Sequence, residues 1–133
     1  IKLTAPDERP FWDVPENKRP FFMQVVQPLK TEAWGTLETI AKAWVAAQQD
    51  NAEAWQHLGL AQQGLNDYAM AKQSYQKVLT IAPKHSSALY QLGLIAKAEG
   101  DTATVRKISQ SLAAIDLDFA EEYDITVGLV VPP

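Results

Sequence analysis

Few residues in this chain have types and spacing that could do chemistry. Histidine occurs at His57 and His85 alone, and the two do not share a helix turn. A metal site would therefore need carboxylates brought from elsewhere. His57 reads as a surface or interhelical contact, and His85 as a solvated loop residue. The acidic group Asp116, Asp118, Glu121, Glu122 and Asp124 invites a calcium reading. It lacks the central glycine and the twelve-residue spacing of an EF-hand loop. Carboxylates at a helix start, favoured by the helix dipole, account for it. Ser109 and Ser111 have no histidine near them in sequence, and no phosphate-cradling or nucleophile-elbow glycine motif occurs. With no cysteine there can be no disulfide, thiolate metal site, thiol nucleophile or C-x-x-C-H haem attachment. The expectation is a chain that is not an enzyme and holds no metal or cofactor, so that its surface carries the function.

At 133 residues and 47% hydrophobic content the chain is long enough for one domain with a modest core. A net charge of −4 gives no electrostatic case for nucleic acid or an anionic membrane surface. No apolar run approaches the length of a membrane span. Ile1 in place of an initiating Met implies processing, or excision from something longer. The expected setting is soluble, cytoplasmic or periplasmic, including the soluble part of an anchored or processed protein.

The elements that position the surface are amphipathic helices. Residues 31–48 place Trp34, Leu37, Ile40, Ala41, Trp44 and Val45 on one face, with Thr31 as N-cap. Asp50-Asn51-Ala52-Glu53 resembles a capping box, with Asp50 in place of Ser or Thr, and starts a helix over 52–65. Asn66-Asp67 starts another over 68–81, ended by Pro83. Ser86 or Ser87 starts 87–99, and Asp101 starts 102–114. A shift of 34 residues superimposes the pattern on itself: Leu58-Gly59 returns as Leu92-Gly93, and Asn66-Asp67 as Gly100-Asp101. Such a period of helix–turn–helix units is the sign of a solenoid.

Residues 52–85 carry Trp55, Leu58, Gly59, Gln62, Ala71, Tyr75 and Pro83 in the pattern W-x2-L-G-x2-Y, A-x3-F, P. On these residues the chain resembles the tetratricopeptide repeat family, with Gln62 departing where the family prefers an aromatic. Leu89, Leu92, Gly93, Ala96, Val105, Ser109 and Leu117 form a weaker second copy in register with the first. The resemblance implies an all-α, right-handed solenoid of about five helices plus a C-terminal capping turn. Its parts are a half repeat at 31–51, repeats at 52–85 and 86–119, and a capping start at 118–124. It also implies a protein-binding module for assembling or scaffolding a larger complex. The ligand-facing positions of the family's concave face map to Glu53, Gln56, Leu60 and Gln63, then to Ser87, Tyr90, Leu94 and Lys97. The Lys, Asn and Arg set with which some members hold a C-terminal carboxylate is absent from these places. The implied partner is a peptide or protein with apolar anchors.

Residues 1–30 differ in character, holding five of the eight prolines together with Phe11, Trp12, Phe21, Phe22 and Met23. Proline at that density predicts an extended arm rather than a helix. It straps its own domain, grips another subunit or protein, or is a disordered tail. Phe21 and Phe22 are expected to cover helix 31–48 in extended form, where the first helix of a leading repeat is missing. Phe11 and Trp12 are expected to reach a concave groove of the same or a neighbouring chain. Residues 125–133, β-branched and closing on Pro132-Pro133, predict an extended tail. The alternative functions are a self-associating structural subunit using arm or tail, and a regulatory segment of a larger protein.

Overall fold

The computed structural model describes residue 10 and residues 13–131. The described residues form a short all-α array of the TPR-like kind. After a 3₁₀ turn at Glu16–Lys18 come α1 (Phe21–Gln24), α2 (Val26–Lys30), α3 (Trp34–Ala47) and α4 (Ala52–Gly64). Then follow α5 (Tyr68–Ile81), α6 (Ser86–Ala98), α7 (Thr102–Ala113) and α8 (Leu117–Thr126). From α3 to α8 each helix packs on the next in sequence. The core is accordingly strung along the array. Val25, Leu37, Trp44, Ala54 and Ala61 cluster at the N-terminal end. Tyr75, Val78, Ala88 and Ile95 lie in the middle, and Val105, Leu112, Ala120, Tyr123 and Val127 at the C-terminal end.

From α4 onward, a side chain placed before the helix supplies an acceptor for its first backbone N–H groups. Asn51 accepts from Glu53 N at 2.9 Å, Asp67 from Met70 N at 3.3 Å, and Asp101 from Thr104 N at 3.1 Å. The cap of α6 is His85 rather than Ser86 or Ser87: its Nδ1 accepts from Ala88 N at 3.1 Å. His85 is thus a structural group rather than a solvated one. Thr31 caps nothing; its hydroxyl donates back to Gln27 O, and α3 begins after Ala33 without a side-chain cap.

The 34-residue period is written into the backbone as well. Glu32, Asn66 and Gly100 all have positive φ, at 56°, 63° and 74°. Each closes the turn between two helices, and the residue after it donates to a carbonyl five back. These bonds are Ala33 N to Pro28 O, Asp67 N to Gln62 O, and Asp101 N to Ala96 O, at 2.8, 2.8 and 2.9 Å. This is the Schellman ending of a helix.

That register corrects the expectation for residues 21–30. They are not extended; α1 and α2 stand where a leading first helix belongs. Pro20 precedes α1 as its N-cap residue. A break at Val25 then places Pro28 in the first turn of α2, where a missing N–H forfeits no helical bond. Covering of α3 comes from Phe21, whose ring stacks on Trp44 at 6.0 Å, and from buried Val25 and Pro28. Phe22 does not take part and is 63% exposed.

The other end is corrected in a similar way. α8 runs to Thr126 rather than stopping near 124, and residues 127–131 form a turn rather than an extended tail. Gly128, at φ 82°, reverses the chain. Leu129 N then donates to Asp124 O at 2.8 Å. Val127 is buried in the C-terminal cluster. By register it holds the place of Gly59 and Gly93.

Candidate functional site

Helices α4 and α6 lie two apart in the array and carry eight of the expected partner-binding residues. Glu53 is exposed in the first turn of α4, and its Oε1 accepts from His85 Nε2 at 2.8 Å. Because His85 Nδ1 is the α6 cap acceptor, the ring proton must sit on Nε2. A single imidazole therefore ties the start of α4 to the start of α6. Beside it Gln56 is buried, donating from Nε2 to Ser87 Oγ at 3.2 Å while its Oε1 has no partner. Ser87 itself is exposed.

The remaining positions divide between core and surface. Gln63 is half-buried and accepts from the Tyr75 hydroxyl at 2.7 Å. Leu60 is partly buried against the N-terminal and middle clusters, and Leu94 against the C-terminal one. Tyr90 packs on α8, with ring centroids 5.1 Å from Phe119 and 5.5 Å from Tyr123. Its hydroxyl donates to Thr126 Oγ1 at 3.0 Å. Lys97 is exposed near the end of α6. Glu53, Ser87 and Lys97 are thus the outward members of the set. Phe11 and Trp12 lie outside the described residues.

Beside this seam is a groove of about 1060 Å³ that the sequence reasoning missed. Residues 14–24 form one wall, and the end of α3 with the start of α4 forms the other. Among the described residues its lining includes Phe21, Phe22, Trp44 and His57, together with charged Lys18, Arg19 and Glu53. The Trp44 and His57 rings are 5.4 Å apart. His57 Nδ1 donates to the Glu53 carbonyl at 2.7 Å. The signal in sequence was Pro20-Phe21-Phe22 together with His57 one turn after Glu53. The α1–α2 helix that builds the wall was hidden by its prolines.

Among the described residues no three His, Cys, Asp or Glu side chains are grouped to hold a metal ion, and no helix is long and apolar enough to cross a membrane. No curated protein sequence matches the chain. Residues 52–85, which are α4, α5 and the turns that close them, match the family described as tetratricopeptide repeat: this chain carries that repeat, which is usually non-catalytic and suggests a protein–protein interaction module.

Proposed function

We propose that the chain is a non-catalytic interaction module that takes a peptide or protein segment along α4 and α6, in assembling or scaffolding a larger complex. One observation carries this reading. Exposed Glu53, Ser87 and Lys97 follow one another along the two helices, with half-buried Leu60 and Leu94 among them. Polar groups that fix direction around apolar anchors suit an extended or helical segment.

The test is a photo-reactive side chain at Ser87, compared with one at exposed Gln76 on α5. In extract of the native organism, Ser87 should cross-link a distinct protein that Gln76 does not. Equal labelling from both positions, or labelling from Gln76 alone, would overturn the assignment to α4 and α6.

A further inference from the structure

The C-terminal end of the array is finished differently from its interior. α4 is followed by α5, and α6 by α7, each packed along its predecessor. α8 packs chiefly on α7 and is followed by the turn at Gly128. A trough of about 480 Å³ lies along it. Leu117, Ala120, Glu121 and Asp124 line this trough at the spacing of one helix face. Ala113 of α7 and Val130–Val131 of the closing turn complete it.

The trough is apolar where it is open. Leu117 and Val131 are 73% and 88% exposed, and Val130 is exposed beside them. A lone apolar side chain at a surface is ordinary, whereas several sharing one trough and rimmed by charge mark a contact site. The charge here has one sign. No Lys or Arg follows Lys107 in the sequence, and five carboxylates do. Asp116 caps α8, and Asp124 accepts from Ser109. Asp118, Glu121 and Glu122 are exposed and enter no ion pair among the described residues. Pro132 and Pro133, next in the chain and outside the described residues, carry no side-chain charge.

We propose that this trough binds a cationic amphipathic helix of a partner protein. The trough residues of α8 recur a turn apart, so a second helix can lie along them as α5 lies along α4. Its apolar stripe rests on Leu117, Val130 and Val131. Its Lys and Arg side chains lay their aliphatic stems over the same surface and carry their charges to Asp118, Glu121 and Glu122. An acidic or uncharged helix has no counter-charge for these carboxylates, and desolvating them without one is costly. The same rim repels nucleic acid and anionic lipid. The surface does not include Glu53, Ser87 or Lys97, and so stands apart from the partner reading above.

Three labelled helical peptides test it by fluorescence anisotropy on the full chain. The first has Leu on one face and Lys on the other, the second has Glu in place of Lys, and the third has Gln in place of Leu. The first should saturate one to one, and the other two should bind at least about ten-fold more weakly. Leu117→Ser, at an exposed site, should weaken the first peptide about ten-fold and leave the melt unchanged. Glu121→Lys should weaken it severalfold at about 0.1 M salt and far less at about 1 M, where the charges are screened. Asp50→Lys makes the same change in net charge at an exposed site between α3 and α4, and should leave binding unaltered. Equal loss from Asp50→Lys means diffuse attraction to an acidic protein and overturns the proposal. Binding of the Glu peptide as tightly as the Lys peptide overturns it too, as does the absence of binding by all three. Self-association of the chain that Leu117→Ser abolishes also overturns it, since the trough then belongs to a second copy.

Discussion

Gly59 and Gly93 hold the same place in successive repeats, yet rings from different sources lie on them. A Cβ on Gly59 would come within 2.6 Å of the Tyr75 ring, on α5 of the same repeat. A Cβ on Gly93 would collide with Tyr123, on α8 beyond the repeat. The position of Tyr75 is held by Ser109 in the second repeat, and that small residue leaves room for Tyr123. Tyr123 is fully buried and donates its hydroxyl to Val105 O at 2.9 Å. The first repeat therefore closes on itself, whereas the second is closed by its neighbour. The interiors differ in polarity too. Buried Gln62 accepts from Ser74 at 2.6 Å; the equivalent pair, Ala96 and Ile108, is apolar and buried.

The largest test of this difference removes each ring. Tyr75→Ala and Tyr123→Ala should each lose about 3–5 kcal/mol, the usual range for emptying a buried aromatic site. Hydrogen exchange should then separate them: Tyr123→Ala should release α6–α8 while α3–α5 stay protected, and Tyr75→Ala should release α4 and α5. The same exchange pattern from both would mean that the repeats are equally self-contained.

Overpacking comes next. Gly93→Ala and Gly59→Ala should each lose about 1–3 kcal/mol on thermal melting. Gly35→Ala, where the added Cβ meets nothing within 4 Å, should gain up to about 1 kcal/mol from helix propensity. Of similar size or smaller is Ser74→Ala. It strips Gln62 Oε1 of its donor and should lose about 1–3 kcal/mol. Ile108→Ala in the other repeat would instead lose packing, so only the first variant should be rescued by Gln62→Ala.

The pH dependence carries the comparison into alkali. Burial, with smaller effects from Asp124 and Tyr90, pushes the Tyr123 hydroxyl up to about 12. The folded state thus prefers the neutral phenol. Its contribution is complete below the ordinary tyrosine value near 10 and is lost as pH rises from there through about 12. Tyr123→Phe should make that fall shallower, leaving the part due to Tyr75, whose hydroxyl burial also pushes up. Smallest of all is Glu32, a non-glycine residue in the left-handed region at φ 56°. Glu32→Gly should raise stability by about 1 kcal/mol, whereas Gly100→Ala should lower it by a similar amount.

Much of the fold was legible because helices announce themselves locally. The apolar spacing of 52–81, the caps Asp67 and Asp101, and the 34-residue register are properties of neighbouring residues; the cap of α4 is Asn51, one residue on from the expected Asp50. What misled was also local. Pro20 and Pro28 read as helix breakers, and only the break at Val25, packed against α3, shows how both fit a helix. Ser86 and Ser87 looked like better caps than His85, whose role is set by Glu53 thirty-two residues away.

The candidate surface was legible only in part. Sequence register assigned Glu53, Ser87 and Lys97 to α4 and α6, and they are exposed there. It could not say that Tyr90 is committed to α8, or that Gln63 is held by Tyr75. Nor could it show that residues 14–24 and the α3–α4 corner enclose a groove. Periodicity fixes which side of a helix is apolar, because that depends on residues a turn apart. Which ring lies on which glycine, and which half-buried residue stays open to a partner, depends on side chains from distant parts of the chain competing for one space. Only the packed array decides that competition.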